Sequence, residues 1–284
     1  MDDNRIFPKI PLDEWVEQFR DFLKDNIQPF FDTIRDVIEE VDEAFRWVLS
    51  IGDIPYSPFI LMIIITIIGF FVSGWKMGLF SLVGLWLINN LGYWDHLLDT
   101  LSLVVISVLI AIIIGVPIGI WMSQKDLAQM IITPILDFMQ TMPAFVYLIP
   151  AVVFFKLGVV PGVVSTVIFS MPPTVRLTNL GIRQVDAELV EAADAFGSTT
   201  WQKLMKVQIP ISMPTTLQGI NQTIMLSLSM VVIASLAGAP GLGSDVYKAV
   251  SQVKIGLGFE AGLALVIIAM ILDRFTQGKK KKAR

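Results

Sequence analysis

The sequence predicts an all-α, polytopic membrane protein with about seven transmembrane helices. Of its 284 residues, 54% are hydrophobic and only 16% are charged, which is too apolar for a soluble domain of this length. Several apolar runs approach the roughly 20 residues that a helix needs to cross a bilayer. These runs are too long and unbroken for barrel strands, so helices are the spanning structure that we expect.

The first predicted element is an amphipathic helix near the N-terminus. Between Leu12 and Val48 the apolar residues recur at helical spacing, and Pro29 is expected to interrupt the helix. Residues 1–56 contain 14 Asp and Glu against 6 Lys and Arg, so attraction to anionic lipid cannot hold this region at a membrane. We interpret it as an acidic amphipathic region that lies on the membrane surface or on the spans through its Trp and Phe side chains. The alternative is a helix that binds a partner.

Seven apolar segments follow and predict the membrane spans. The fourth is long and carries Pro134, Pro143 and Pro150, so we expect part of it to be a cytosolic or kinked extension and not a straight span. Within the third, Gly115, Pro117 and Gly119 either bend the helix or allow a neighbouring helix to pack closely. The seven segments are 58–73, 77–92, 97–122, 130–155, 162–177, 217–237 and 257–275.

Basic residues predict the orientation of these spans. The four lysines at 279–282, with Arg274 and Arg284, are expected to stay in the cytoplasm, which makes 276–284 a basic cytoplasmic tail. Counting back through seven spans places the N-terminus outside the cell. The connection between the fifth and sixth spans then lies inside.

That connection contains a regular segment, residues 186–210, which predicts two short helices joined by an elbow. The first half is rich in Ala and Glu, with carboxylates in its first turn, where the helix dipole favours them. Gly197 can end this helix in a left-handed cap, and Ser198 or Thr199 can begin a second helix that ends by Pro210. Such a protruding hairpin is suited to docking on a soluble partner.

The same segment resembles the coupling signature of ABC importer permeases, Glu-Ala-Ala-x3-Gly-x9-Ile-x-Leu-Pro. A bare Glu-Ala-Ala triplet is common in helices, but the full spacing in a connection followed by two spans is specific. Val207 and Ile209 stand where the signature has Ile and Leu, which are conservative changes. The matching residues are Glu191, Ala192, Ala193, Gly197, Val207, Ile209 and Pro210.

The resemblance implies a mechanical role for these residues. In such permeases the segment fits into an ATP-binding subunit and passes its closure to the spans. By resemblance, Gly197 would be the elbow, Ala192 and Ala193 would permit close approach, and Glu191 would orient the helix. A solvent-exposed hairpin without a partner is the alternative interpretation.

The resemblance extends to a branch of the family. Segments 206–214, 221–223, 228–235 and 271–274 look like the glycine betaine/proline-type osmoprotectant permeases. This implies a five-span core of the methionine-importer-like type I fold in residues 95–275. Residues 57–94 would be an added two-span scaffold. The chain would lie in the bacterial cell membrane as a multi-pass protein.

From this resemblance follow the expected function and partners. The chain would be the non-catalytic permease subunit of an importer for glycine betaine, with choline, carnitine, proline or methionine as alternative solutes. Its partners would be two ATP-binding cassette subunits, a second permease copy, an extracytoplasmic solute-binding protein and membrane lipids, with no nucleic acid. ATP and Mg would bind to the partner ATPase and no cofactor to this chain.

The residue inventory argues against catalysis in this chain. There is no phosphate-binding Gly-x-x-x-x-Gly-Lys-Ser/Thr loop, no cysteine and only one histidine, His96. Metal clusters and Ser/His/Asp catalysis therefore lack their parts, and no metal site is expected. Ionisable groups are scarce in the spans, which disfavours a secondary transporter, and an autonomous channel would not need a rigid lever.

Two sets of polar residues in the spans could line a translocation path. One set shares a face of the fourth segment, and the other lies in the sixth. Either set could instead join helices by hydrogen bonds. The first set is Asp137, Gln140 and Thr141, and the second is Asn221, Gln222, Thr223 and Ser227.

Overall fold

The computed structural model describes residues 11–50, 52 and 56–277, and within these ranges the regular structure is entirely helical. Two short 3-10 turns, Ala144–Tyr147 and Ser235–Ala237, and one π-helical turn, Leu204–Gln208, adjoin the α-helices. The α-helices are α1 (Leu12–Leu49), α2 (Ser57–Ser73), α3 (Trp75–Asn90), α4 (Trp94–Gln124), α5 (Asp126–Thr141), α6 (Leu148–Phe155), α7 (Val159–Ser170), α8 (Pro172–Arg183), α9 (Ala187–Ala195), α10 (Thr200–Lys203), α11 (Ile209–Ala234), α12 (Leu242–Ser251) and α13 (Ile255–Gln277).

Among the described residues, four helical runs are long and apolar enough to cross a bilayer. Helices α7 and α8 form one of them, and α10 continues through the π turn and α11 as another. A fifth is counted if α5 and α6 are one span, although they are bent by 106° at the break before Ala144. The kink predicted for the fourth segment is therefore confirmed. The four runs are Trp94–Gln124, Val159–Arg183, Thr200–Ala237 and Ile255–Thr276.

Helices α2 and α3 form a tight hairpin at the positions predicted for the first two spans. They contain 17 and 16 residues and are separated by Gly74 alone. Both pack on α13, and the Ser73 hydroxyl donates to the Arg274 carbonyl oxygen over 3.2 Å. Both are shorter than the four long runs, so the described residues support four or five spans by length.

The core is built around α4, which packs on α7, α8 and α11. Leu97, Val104 and Ala111 are fully or almost fully buried along its length. Further along, a Cβ at Gly119 would lie 2.7 Å from both the Val175 carbonyl oxygen and the Thr178 Cβ. The glycines of this span thus serve close packing, and α4 continues as a helix through Pro117.

Helix α1 runs without a break for 38 residues, so the interruption expected at Pro29 is wrong. The side chain of Pro29 lies on the exposed side of the helix, where water can satisfy the carbonyl group that loses its partner. The second half of α1 docks on the bundle, with Phe31 stacked on Phe154 at 4.6 Å between ring centroids. The apolar residues of the first half, including Trp15 and Phe19, are exposed.

A polar contact holds α1 on the beginning of α4. The Ser102 hydroxyl donates to Asp42, and Arg46 Nη2 lies 2.7 Å from Asp99 Oδ1, at an angle unsuited to a hydrogen bond. Asp42, Asp99 and Ser102 are all buried. The acidic face predicted for this region therefore includes a carboxylate that faces the protein.

The first ten residues and residues 278–284 of the predicted basic tail lie outside the described residues.

Candidate functional site

The elbow of segment 186–210 is built on Gly197. Its φ of 76° is in the left-handed region. The Gly197 N–H group donates to the Asp194 carbonyl oxygen over 2.9 Å, and the Ser198 N–H group donates to the Ala193 carbonyl oxygen over 3.0 Å. This pair of bonds satisfies carbonyl groups at the end of α9, and the left-handed cap predicted here is confirmed. A Cβ at Gly197 would meet nothing within 4 Å, so only the backbone conformation restricts this position.

Two further interactions stabilise the hairpin, one at the start of α10 and one between α9 and α10. Thr199 and Gln202 form a reciprocal capping box, in which each side chain bonds the backbone N–H group of the other. Lys203 Nζ contacts both carboxylate oxygens of Asp194 at 2.8 Å. The start of the second helix is therefore confirmed at Thr199, and the hairpin is held as one unit.

The second helix does not end by Pro210, so that prediction is wrong. The run continues from Thr200 to Ala237 as one helix of 38 residues. The π turn Leu204–Gln208 ends one hydrogen-bonding register, and α11 begins a new one at Ile209. Pro210 therefore lies in a first turn, where its missing N–H group has no intrahelical partner to lose. The connection outside the long helices shortens to 184–199.

The tip of the hairpin exposes two large aromatic side chains. Phe196 is 92% exposed and Trp201 is 66% exposed. Of the signature residues, Glu191, Ala192, Gly197 and Pro210 are exposed, and Ala193, Val207 and Ile209 are half-buried against the hairpin and α11. We define the docking hairpin as residues 187–203. It combines a rigid backbone with an unpartnered apolar tip.

The first predicted polar set lies on α5. Arg176 Nη2 of α8 donates to Asp137 Oδ1 over 2.6 Å, and both side chains are partly exposed. Gln140 and Thr141 are exposed at the end of the helix, just before the 106° bend. The Thr141 hydroxyl donates to the Phe138 carbonyl oxygen over 3.2 Å.

The second predicted set joins helices. Asn221 donates to Asp273 over 3.0 Å and accepts from Thr276 over 2.7 Å. Thr223 bonds Thr174 and the Ser170 carbonyl oxygen on the preceding span. Ser227 is buried with a hydrogen bond of 3.0 Å to the Ser170 hydroxyl, and only Gln222 of this set is exposed. These contacts match the helix-joining interpretation of Asn221, Thr223 and Ser227.

Sequence reasoning assigned no site role to two arginines of α8, although an arginine inside an apolar run, as Arg176 is, is a signal that could have been used. Besides Arg176, Arg183 at the end of α8 donates to the Met122 carbonyl oxygen over 2.8 Å. The same guanidinium lies 2.8 Å from Asp126 Oδ1 in the first turn of α5. The ends of α4, α5 and α8 therefore meet at Arg183.

The single histidine also has a partner that the sequence did not show. His96 Nδ1 contacts the carboxylate of Asp245 on α12. Thr100 Oγ1, one turn further along α4, accepts a hydrogen bond of 2.9 Å from Leu242 N–H. These two contacts fasten α12 and the turn before it to the beginning of α4.

Residues 108–277 match the family model described as "Binding-protein-dependent transport system inner membrane component". The chain belongs to this family. It is therefore a multi-pass inner-membrane component of a binding-protein-dependent transport system, and such components are non-catalytic subunits.

Curated relatives of this transport component match almost its whole length. It is 54% identical to the glycine betaine transport system permease protein OpuAB of Bacillus subtilis (strain 168), over 98% of this chain and 97% of that protein. The glycine betaine/carnitine transport permease protein GbuB of Listeria monocytogenes is also 54% identical, over 98% of both chains. The glycine betaine/proline betaine permease ProW of Escherichia coli is 44% identical, over 97% of this chain and 77% of ProW.

Solved structures show the fold of this transport component. A chain of the MetNI methionine ABC transporter in an inward-facing conformation matches with a TM-score of 0.57 and 21% identity. The match covers 68% of this chain and 95% of that one. The type I ABC permease fold is thus confirmed, and the remaining third of this chain lies outside the match.

Proposed function

We propose that this chain is the membrane-spanning permease subunit of an ATP-driven importer of glycine betaine or a closely related compatible solute. The observation that carries the proposal is the 54% identity, over nearly the whole of both chains, to a permease named for glycine betaine transport. The docking hairpin supports the same function, because an importer needs a rigid contact between its ATPase and its spans.

The docking hairpin is the contact through which ATP hydrolysis moves the permease. Phe196 and Trp201 enter a groove on the ATP-binding subunit, where burial of their rings supplies binding energy. Closure of that subunit moves the hairpin as one unit because Gly197, the capping box and the Asp194–Lys203 pair fix its elbow. ATP and Mg bind to the partner and no cofactor to this chain.

The assembly contains two permease copies and two ATP-binding subunits, with a separate solute-binding protein outside the cell. In this arrangement the docking hairpin and the basic tail 276–284 are cytoplasmic and region 1–56 is extracytoplasmic. Seven crossings result if α2 and α3 each cross a thinned part of the bilayer as a scaffold in residues 57–94, beside the core of residues 95–275. The exposed apolar side chains of α1 lie in the lipid interface on the extracytoplasmic side of the cell membrane.

The path for the solute runs along α5. The exposed groups of Asp137, Gln140 and Thr141 offer hydrogen bonds to a small zwitterion, and Gln222 adds another. Phe138 is 64% exposed on the same helix and offers a ring face to a quaternary ammonium group.

Uptake of radiolabelled glycine betaine into proteoliposomes tests this function. The vesicles contain the permease, its ATP-binding subunit and its solute-binding protein, and we expect uptake that requires ATP. Gly197→Asp should abolish it while assembly is retained. Gly92→Asp is the matched control, since Gly92 also has a positive φ of 80° and open space but lies far from the hairpin, between α3 and α4.

Two results would contradict the proposal. Uptake that continues without the ATP-binding subunit would exclude a coupled importer. ATP-dependent uptake of carnitine or proline without any uptake of glycine betaine would keep the importer and change its substrate.

A further inference from the structure

Helix α5 is attached to the rest of the bundle differently from the other long helices. It lies outside the main apolar core, and its buried contacts form a separate cluster of Met122, Leu136 and Val175 from α4, α5 and α8. At its far end the chain bends by 106° into α6. A helix with so small a core and a sharp break at one end can move relative to α6 as a unit.

Two arginine–aspartate pairs fasten α5 to α8. Arg183 lies 2.8 Å from Asp126 at the beginning of α5, and Arg176 lies 2.6 Å from Asp137 near its end. The two helices run antiparallel, because the later arginine contacts the earlier aspartate. Both pairs join the same two helices, so α5 is held near both of its ends.

Helix α8 leads directly into the docking hairpin. It ends at Arg183 and α9 begins at Ala187, with only three residues between them. Val185 in this connection is buried, which limits its freedom to absorb a displacement. Arg183 also bonds the Met122 carbonyl oxygen near the end of α4, so its guanidinium is held in position.

We propose that the Arg183–Asp126 and Arg176–Asp137 pairs are positioning pairs that make α5 follow α8 when the docking hairpin moves. The pairs act on the solute through α5, which carries the polar groups of the proposed path. This inference rests on the proposed function, since it needs an ATP-binding subunit to move the hairpin. It adds to that function the contacts that carry the displacement from the coupling segment to the path.

The exposure of the two ion pairs predicts that removing one affects the position of α5 and not the folding of the chain. The Asp126 side chain is 90% exposed and that of Asp137 is 57% exposed, and ion pairs in such surroundings add little to folding stability. Removing one should therefore leave the chain folded and inserted. What it removes is the constraint on the position of α5 relative to α8.

A single introduced cysteine reports the position of α5 without any transport measurement, because the natural chain contains none. Gln140→Cys places a thiol at an exposed position of α5, next to the bend. In the complex with the ATP-binding subunit, the rate of its alkylation by a maleimide is measured with and without a non-hydrolysable ATP analogue. We expect the analogue to change this rate in the otherwise natural chain.

The variants decide whether the pairs transmit the change. Arg183→Gln and Asp126→Asn should each reduce the effect of the nucleotide about two- to fivefold, because an exposed ion pair supplies only a small coupling free energy. The charge swap of Arg183→Asp with Asp126→Arg should recover part of it, because only a direct pair is restored by exchange. Lys125→Gln is the matched control, since it removes an exposed positive charge beside Asp126 and should keep the full effect.

The results separate this inference from the proposed function. A nucleotide effect that is equal in the Gln140→Cys chain with and without each single substitution would overturn the inference, as would the absence of any effect in a complex that hydrolyses ATP and transports. A chain that recruits no ATP-binding subunit in co-purification would instead overturn the proposed function.

Discussion

The Ser102 hydroxyl of α4 donates a hydrogen bond of 2.5 Å to Asp42 of α1, and both side chains are buried where the two helices cross. Burial raises the pKa of the Asp42 carboxyl group above its ordinary value, and the bond from Ser102 and the charge of Arg46 oppose this in part. The negative charge of Glu43 raises the pKa of Asp42 further, and Arg46 Nη2 lies 2.7 Å from Oδ1 of the nearby Asp99. The docking of α1 thus depends on a carboxyl group for which ionisation is unfavourable.

Docking of α1 should therefore weaken as the pH rises. A pKa that is higher in the docked state means that the docked state binds more protons, so stability falls from the ordinary Asp pKa of about 3.9 up to the raised pKa. Asp42→Asn should remove this dependence. Asp42→Ala should cost about 1–3 kcal/mol below the ordinary Asp pKa and less as the pH rises, because it leaves the buried Ser102 hydroxyl without its acceptor. Hydrogen-exchange protection of α1, corrected for the intrinsic rate, measures both effects, and an unchanged slope in Asp42→Asn would contradict the assignment.

The apolar tip of the docking hairpin should determine affinity for the ATP-binding subunit. Phe196→Ser and Trp201→Ser should each weaken binding of that subunit by roughly 10–100-fold, the loss expected for a large aromatic side chain buried at an interface. The thermal stability of the two variants should equal that of the natural chain, because both rings are exposed in the free chain. Leu157→Ser is the control, since Leu157 is 71% exposed and lies beside Gly238, away from the hairpin. Equal binding by all three variants would place the docking site elsewhere.

Close packing of α4 on α8 should make Gly119 intolerant of a side chain. Gly119→Val should destabilise the permease by about 1–3 kcal/mol or more, because the clash involves the Val175 backbone and not a flexible side chain. Gly262→Val introduces the same residue into α13, where a Cβ would meet nothing within 4 Å, and should be tolerated. Thermal unfolding in lipid nanodiscs compares the two. An equal loss of stability in both variants would mean that the helix propensity of valine, and not a clash at Gly119, causes the effect.

The two polar sets should respond differently to substitution. Thr223→Val removes buried bonds to Thr174 and Ser170 and should lower stability by about 0.6–2 kcal/mol without changing the half-saturation concentration for uptake. Gln140→Ala should raise that concentration and leave the unfolding temperature unchanged, because the Gln140 side chain is exposed. The reverse pattern would assign the path to α11 and exclude α5.

Hydrophobic pattern alone located most of the spans, because an apolar run long enough for a bilayer has few other stable structures. Its boundaries failed where polar residues continue a helix. Helix α4 begins at Trp94, three residues before the predicted span, and His96 in its first turn contacts Asp245, 149 residues later in the chain. That pairing depends on the fold and leaves no local signal.

The elbow of segment 186–210 was also predicted from local sequence. A glycine after an alanine-rich helix and a threonine before the next one predicted the elbow, since each residue type acts on its own backbone. Proline was the misleading signal. Pro29 and Pro210 both stand within continuous helical runs, because one is exposed and the other follows a π turn. The pairs of α5 with α8 join residues far apart in the chain, so only the fold could bring them together.

The helical run from Thr200 to Ala237 reaches from the docking hairpin to the turn that precedes α12. At 1.5 Å per residue its 38 residues span about 57 Å, nearly twice the hydrocarbon thickness of a bilayer. Its far end is tied to the neighbouring span, where Gly158 N–H donates to the Ala237 carbonyl oxygen over 2.8 Å. The same helical run is therefore long enough to reach both faces of the membrane. If ligands bind at its two ends, each must change the binding affinity of the other by the same factor. In the proposed importer, a solute receptor that shifts this helical run at one end would change the affinity for nucleotide at the other end by the same factor by which nucleotide changes the affinity for the receptor.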